Sequence, residues 1–261
     1  AVPEKRRATA YSVFFACMFA TGILGNSLGG VLPFVLHSRR TVLLSSAAFA
    51  ALAVFPALRL NEFPRPPIGG RIYPRSKFLV LYLIPFAVWH LATGTFNPFN
   101  NVYFKRLGFA DQRIGSVFAV AQLVQVGALL AAPFIIRRLG LLNGIVVMMA
   151  AAALGLGALG TQPPGTGAVA AYIAYMSFQW MSEPGLNTLL MNHVAEREHS
   201  GASALNYVVA FGAQALAAYA GGAMFSRLGY GPALAGAAGL ALLAAVLFRV
   251  LLARRFDTAL K

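Results

Sequence analysis

Eight long runs of apolar residues constrain the fold of this chain more than any other feature. A helix that crosses the roughly 30 Å hydrocarbon layer of a bilayer needs about 20 mostly apolar residues, because it rises about 1.5 Å per residue. The runs lack the period-two alternation of barrel strands, so they predict an all-α integral membrane protein of about eight transmembrane helices. The predicted spans are 10–36, 41–60, 78–104, 112–136, 141–160, 167–194, 202–226 and 231–253.

Composition and charge exclude several classes of protein. Hydrophobic residues make up 59% of the chain and charged residues 11%, whereas about a quarter of the residues in soluble domains are charged. The net charge of +14 could suggest a nucleic-acid partner, but the basic residues lie at the ends of apolar runs and form no binding stripe. The predicted partner is therefore the lipid bilayer and not nucleic acid.

The sequence offers no set of residues for a cofactor, a metal or hydrolytic chemistry. Cys17 is the single cysteine, and neither H-E-x-x-H nor G-x-S-x-G occurs. The stretch from Gly155 to Gly160 fits G-x-G-x-x-G, but no strand precedes it and no acidic residue follows at the required distance. We therefore expect no enzyme activity, no cofactor and no bound metal.

The distribution of Lys and Arg predicts the orientation in the membrane. With eight spans both termini lie on one side, and that side carries 15 of the 21 basic residues while the opposite side carries six. Cytoplasmic segments are the ones enriched in Lys and Arg. We expect a multi-pass cell-membrane protein, in a bacterial inner membrane, with both termini cytoplasmic.

A basic stretch rich in Pro and Gly, 61–77, divides the chain unequally and is predicted to be a cytoplasmic linker. Two helices precede it in 1–60 and six follow in 78–261. Shifting the last six helices by 89 residues aligns Arg138-Leu139-Gly140 with Arg227-Leu228-Gly229. These two turns fall on opposite sides of the membrane, as an inverted pair of three-helix repeats requires.

Two local motifs accompany this organisation. The first helix contains Gly25-Asn26-Ser27-Leu28-Gly29-Gly30, and Pro133 to Gly140 joins the fourth and fifth helices. The first is similar to the Gly-Pro-x-x-Gly-Gly core of a motif found in proton-coupled antiporters, with Asn26 in place of proline. In the second, Arg138 and Gly140 match a cytoplasmic motif of Gly, three residues, Asp, Arg, any residue and Gly.

With these motifs, six helices after a basic linker resemble the carboxyl half of the major facilitator superfamily. The resemblance covers the whole chain as helices five to twelve of twelve. It implies that 1–60 forms the last two helices of the amino half, that 78–261 forms the complete carboxyl half, and that four helices are missing from the front. The chain alone is therefore expected not to transport, and the complete protein is expected to be a monomer.

Glu183 is the strongest functional candidate, because it is the single acidic residue well inside a predicted span. A charge at mid-bilayer costs about 2.5–3.5 kcal/mol on insertion scales, so such residues usually face a cavity and mark an ion or proton path. Pro184 follows it and frees a backbone carbonyl. The alternative is a neutral carboxyl that only hydrogen-bonds a neighbouring helix. Tyr172 and three further residues are spaced so that they share the helix face of Glu183. The others are Tyr175, Gln179 and Asn187.

The third helix carries a comparable polar face, beside Pro98. His90 is a second candidate for proton relay, because a histidine titrates near neutral pH; the alternative is a bridge between helices. The predicted substrate cavity is lined by the residues that share these faces or lie on the fourth and seventh helices. They are Tyr175, Gln179, Asn187, Thr93, Asn97, Asn101, Gln122, Gln125, Asn206 and Gln214. For the four on the fourth and seventh helices, hydrogen bonding between helices is the favoured alternative.

The sequence thus predicts a secondary carrier for a small-molecule substrate, with protons as the coupling ion. Efflux of a small organic or amphipathic solute by an antiporter is favoured over proton-coupled uptake of a metabolite by a symporter. A membrane-embedded enzyme or a helical scaffold without a substrate are the alternatives from other classes. An enzyme would need several acids, histidines or a nucleophile converging at one depth.

Overall fold

The computed structural model describes residues 4–59, 73 and 76–256. Nearly all of them are helical, and the described part of the chain contains no strand. This confirms the predicted all-α fold. The linker predicted at 61–77 lies outside the described residues, apart from Tyr73, Ser76 and Lys77.

The helices follow the predicted spans closely. Two long helices and one short helix precede the predicted linker. After the linker, two 3-10 helices and several tight turns separate the remaining α-helices. The ten α-helices of the described residues are α1 (Glu4–Leu36), α2 (Arg39–Leu52), α3 (Val54–Leu58), α4 (Lys77–Phe96), α5 (Asn100–Arg106), α6 (Asp111–Leu139), α7 (Leu141–Gly160), α8 (Thr166–Asn192), α9 (His199–Arg227) and α10 (Tyr230–Phe256).

One predicted span is polar compared with the others. Among the described residues, seven helical segments are long and apolar enough to cross a membrane by length and composition. Helix α8 has 27 residues but is not one of the seven. It packs against α1, α6 and α7, so its polar side chains meet protein on several sides.

The six helices after the linker pack as two related triplets. Helix α4 packs against α9 and α10, and α8 packs against α6 and α7. The first helix of each triplet thus contacts the second and third helices of the other triplet. Helix α8 begins 89 residues after α4, at Thr166 and Lys77, so the packing supports the predicted inverted repeat.

The turn between α6 and α7 depends on a glycine. Gly140 has φ of +81°, and Gly229, which is 89 residues further on, has φ of +82° between α9 and α10. A residue with a Cβ adopts such a backbone conformation only at a cost. Gly140 and Gly229 therefore follow corresponding helices in the two triplets and adopt the same backbone conformation.

The third predicted span is interrupted near its carboxyl-terminal end. A 3-10 helix, Asn97–Phe99, separates α4 from α5 and holds Pro98 near its start. Because proline has no N–H, it cannot continue the α-helical ladder. Pro184, in contrast, lies inside an α8 that continues from Thr166 to Asn192. Of the two predicted prolines, Pro98 is the one that breaks a helix.

Candidate functional site

Glu183 lies near the middle of the polar helix α8. It is nine residues before Asn192, the last residue of the helix, which corresponds to about 14 Å at 1.5 Å per residue. That depth is close to the centre of a 30 Å hydrocarbon layer. The Glu183 side chain is half-buried.

Two aromatic residues of α4 lie near the Glu183 carboxyl. The indole of Trp89 is close enough to interact with it, but the Trp89 Nε1 atom lacks a hydrogen-bond partner of standard geometry among the described residues. Tyr82 lies on the same side of α4, and its hydroxyl donates to the carbonyl oxygen of Leu186, not to the carboxyl, at 3.2 Å. Both side chains are completely buried. Glu183 therefore sits where the first helices of the two triplets meet.

The carboxyl-terminal end of α4 and the amino-terminal part of α8 are joined by polar side chains. The Tyr175 hydroxyl donates to Asn97 Oδ1 at 2.7 Å, and Asn100 Nδ2 donates to the Tyr172 hydroxyl at 3.2 Å. Asn101, which is predicted to line the cavity, is exposed. The 3-10 turn at 97–99 changes the helical phase, so Asn100 takes the position against α8.

His90 is on the other side of α4, toward α9. Its Nδ1 atom lies 2.9 Å from Gln214 Nε2. The glutamine is the donor of this hydrogen bond, because a side-chain amide nitrogen donates and does not accept. Close packing supports this contact, since a Cβ added at Gly94 would lie 2.6 Å from Gln214 Cα. Consecutive residues on a helix point about 100° apart, so the His90 side chain contacts α9 while the Trp89 side chain faces α8.

Replacing Gln214 with leucine is expected to lower the stability of the protein. His90 would keep a buried ring nitrogen with no partner, and an unsatisfied buried polar group costs about 1–3 kcal/mol. Thermal unfolding of the purified protein in detergent measures the effect. Gln112→Leu, at an exposed position near the start of α6, is the control and should change the midpoint little. Equal midpoints for the two variants would contradict the assigned contact.

Other predicted polar residues are buried without assigned partners. Gln125, Gln179, Thr93 and Asn206 are each at most 5% exposed, and each has a buried side-chain atom without a hydrogen-bond partner among the described residues. Asn187 is half-buried and donates to the Glu183 carbonyl at 2.9 Å. Gln122, also half-buried, lies beside Gly22 of α1, since a Cβ there would be 3.4 Å from Gln122 Nε2. Gln122 thus lies at the junction of α6 with α1, while Gln179 and Asn206 are buried within the packing of α8 and α9.

The predicted motif residues have separate surroundings. The Arg138 guanidinium carbon lies 4.6 Å from the centre of the Phe134 ring, next to the Gly140 turn. Gly25 is exposed, and a Cβ added there would meet nothing within 4 Å. Gly29 and Gly30 lie within α1, but their surroundings are outside what the structure describes. The structure therefore places Arg138 and Gly140 at the α6–α7 turn, while Gly25 faces no neighbour.

A cavity of about 670 Å³ lies at the opposite end of α8 from the aromatic contacts to Asn97 and Asn100. Its lining residues come from α1, the end of α8, the 3-10 helix Glu196–Glu198 and α9. They combine aromatic rings with three polar groups that local sequence patterns did not single out. The lining residues are Arg7, Ala10, Tyr11, Phe14, Met191, Glu196, His199 and Tyr207.

The end of α8 beside this cavity is held by side chains from two other helices. Arg7 Nη1 of α1 donates to the carbonyl oxygen of Met191 at 3.1 Å and to Asn192 Oδ1 at 3.0 Å. His199 Nε2 of α9 lies 3.1 Å from the same Met191 oxygen and 3.0 Å from the Val194 oxygen. Because carbonyl oxygens only accept, His199 carries a proton on Nε2. Cationic donors at a helix carboxyl end are stabilising.

Among the described residues, no group of three or more His, Cys, Asp or Glu side chains is placed to hold a metal ion. The chemistry available at the centre is therefore that of one carboxyl, one imidazole, tyrosine hydroxyls and amides. Such groups bind and release protons or hydrogen-bond a solute. The described side chains do not bring a nucleophile and a base together at Glu183.

Comparison with known proteins gives a family and a fold. The sequence profile of the Major Facilitator Superfamily matches residues 1–218. No curated protein sequence matches the chain. The structure is similar to that of a bacterial homologue of the iron transporter ferroportin in the outward-facing state, with a TM-score of 0.69, 15% identity and coverage of 96% of this chain and 65% of that one.

A second structure of a bacterial ferroportin homologue, outward-facing with soaked iron, has a TM-score of 0.58 and 15% identity over 67% of this chain and 46% of that one. The chain thus spans about half to two thirds of the length of these proteins. At this identity the likeness concerns the fold. The family profile, which matches most of the chain, shows more: this chain belongs to the Major Facilitator Superfamily.

Proposed function

We propose that the chain forms the larger part of a proton-coupled secondary transporter for a small organic or amphipathic solute, with Glu183 as the coupling carboxyl. One observation carries the proposal: a lone acidic side chain lies near mid-membrane on a polar helix, where α4 and α8 meet. A carboxyl group in such a place is costly unless it serves a path for ions or protons. The family match and the fold support a secondary transporter.

The surroundings of Glu183 favour an organic solute. Tyrosine rings and asparagine amides lie along the amino-terminal half of α8. Such a surface can bind an organic solute by stacking and a few hydrogen bonds. The iron named for the two similar structures belongs to those proteins. At 15% identity it gives no reason to assign a metal to this chain.

We favour export by exchange with protons, and uptake together with protons is the second candidate. Reconstitution of the complete gene product in liposomes with an imposed pH gradient distinguishes the two. Exchange predicts that solute accumulates in the more acidic compartment, while symport predicts accumulation in the more alkaline one. In either case a protonophore should collapse the accumulation. Solute accumulation that persists in the presence of the protonophore would refute proton coupling.

We further propose that both termini face the cytoplasm, that the protein is a monomer in the bacterial inner membrane, and that its first helices belong to an amino half. The orientation is tested in a Cys17→Ala background. Thr166→Cys, at the exposed start of α8, should react with an impermeant thiol reagent from outside. Arg197→Cys, exposed near the other end of α8, should react only from the cytoplasmic side. The reverse pattern would overturn the orientation.

A further inference from the structure

Trp89 has a buried donor that its own surroundings do not satisfy. The side chain is 0% exposed, and its Nε1 atom has no hydrogen-bond partner among the described residues. An unmade hydrogen bond inside a protein costs free energy, so each such group calls for an explanation. Phenylalanine would fill most of this space without that cost. The indole N–H therefore points to a partner that becomes available in another state of the protein.

The Glu183 carboxyl is the group that could become this partner. It interacts with the Trp89 indole without standard hydrogen-bond geometry. A carboxylate accepts hydrogen bonds at both oxygens, and bonds to an ionised acceptor are shorter and stronger than neutral ones. Loss of the carboxyl proton would thus turn a weak contact into a strong one.

We propose that the indole N–H of Trp89 is the donor that holds the Glu183 carboxylate after proton release, so that deprotonation ties α8 to α4. The proposal rests on Glu183 as the coupling group. In the step, the O–H bond of the carboxyl breaks and the proton moves to a water molecule. The carboxylate left behind accepts the N–H of Trp89. Protonation reverses the step and loosens the contact between the two helices.

The position of the pair gives this bond a mechanical consequence. Helices α4 and α8 are the first members of the two triplets, and few residues of the two helices contact each other directly. Their other links include the Tyr82 bond to Leu186 and the edge contacts of the Phe96 ring with Tyr172 and Tyr175. A bond that forms with the charge state of Glu183 would change one of the few direct connections between α4 and α8.

Other titratable groups around Glu183 are few. Tyr82 of α4 interacts with it, and Tyr11 of α1 interacts in turn with Tyr82. Helix α7 contains no titratable residue, and in α6 the charged residues are confined to the two ends. Helix α9 has His199 and Arg227 at its ends and the exposed Tyr207 and Tyr219 between them. The remaining group is His90, the neighbour of Trp89 on α4, whose Nδ1 atom contacts Gln214 of α9. A transition of Trp89 emission that is lost in Glu183→Gln is therefore assigned to Glu183 and not to His90.

The two tryptophans of the chain make the test direct. In a Trp180→Phe variant, Trp89 is the single tryptophan, and its fluorescence is recorded against pH in the purified 261-residue chain. We expect a shift of the emission maximum with one midpoint, and we expect Glu183→Gln in the same background to abolish it. An emission maximum that does not change with pH, or a transition that survives Glu183→Gln, would overturn the proposal.

Trp89→Phe is the matched variant. Trp180, the remaining reporter, packs against Phe19 with ring centres 4.8 Å apart, and its emission should not show the Glu183-dependent transition. In the complete gene product, Trp89→Phe should move the midpoint of pH-dependent transport to higher pH, because the carboxylate loses its donor, whereas Trp180→Phe should not. An unmoved midpoint would also count against the proposal.

Failure of this inference and failure of the proposed function give different results. If Glu183→Gln stops pH-driven transport but the emission maximum of Trp89 does not change with pH, Glu183 couples proton movement to transport and Trp89 takes no part. If Glu183→Gln transports normally while Trp89 emission still follows Glu183, the pair exists but does not couple transport.

Discussion

Replacing Glu183 with glutamine is expected to abolish pH-driven accumulation of substrate in the complete gene product. Glutamine keeps the size of the side chain and its capacity for hydrogen bonding, but it cannot bind and release a proton. Exchange of labelled for unlabelled substrate without a gradient should remain largely intact, because that reaction needs the binding site but no net proton movement. The two assays are run on the same proteoliposomes.

A structural carboxyl predicts a different outcome. If Glu183 stays protonated and only bonds to neighbouring groups, the amide replaces both its donor and its acceptor, and both assays should change little. Gln112→Leu, at an exposed position near the start of α6, is the control and should change neither assay. Normal pH-driven accumulation by Glu183→Gln would remove Glu183 from the mechanism and make His90 the next residue to test.

Replacing Gly155 with alanine is expected to destabilise the protein strongly. A Cβ at this position of α7 would lie 2.8 Å from both the backbone nitrogen and Cα of Tyr175 in α8. Backbone atoms of a packed helix cannot move aside as a flexible side chain can, so the two helices must separate. Overpacking of this kind costs about 1–3 kcal/mol. The displacement would also reach the Tyr175 bond to Asn97.

Gly157→Ala is the matched control two residues further along α7. A Cβ at Gly157 would have Ala238 Cβ as its nearest neighbour, at 3.9 Å, which is ordinary contact. Alanine also favours a helix over glycine by up to about 1 kcal/mol, so this variant should be as stable as the parent or more so. Thermal unfolding in detergent should separate the two variants. Equal midpoints would contradict the close α7–α8 packing.

The spans could be predicted because bilayer thickness sets the length of an apolar helix. The sixth predicted span, 167–194, is observed as Thr166–Asn192, and the family match confirms the predicted resemblance. The glycines at 155, 157 and 160 serve helix packing, in keeping with the rejection of a nucleotide-binding loop. A Cβ at Gly160 would meet the Gly231 oxygen at 3.3 Å.

The partners within the site could not be predicted in the same way. Periodicity showed which residues share a helix face, but Trp89 meets Glu183 and His90 meets Gln214 across many intervening residues. The change of phase at Asn97–Phe99, which replaces Asn101 with Asn100, depends on a 3-10 turn whose geometry is set by packing. The cavity beside Arg7 and His199 likewise requires α1 to meet the stretch from Met191 to Tyr207, which is far away in sequence.

Proton movement driven by substrate tests the central claim most directly. The complete gene product is reconstituted in liposomes that contain a pH-sensitive dye, and a transported solute is added without any imposed gradient. The account predicts a change of internal pH upon solute addition, which is lost in Glu183→Gln although solute exchange continues. Solute movement with no pH change in the parent protein, or an undiminished pH change in Glu183→Gln, would contradict it.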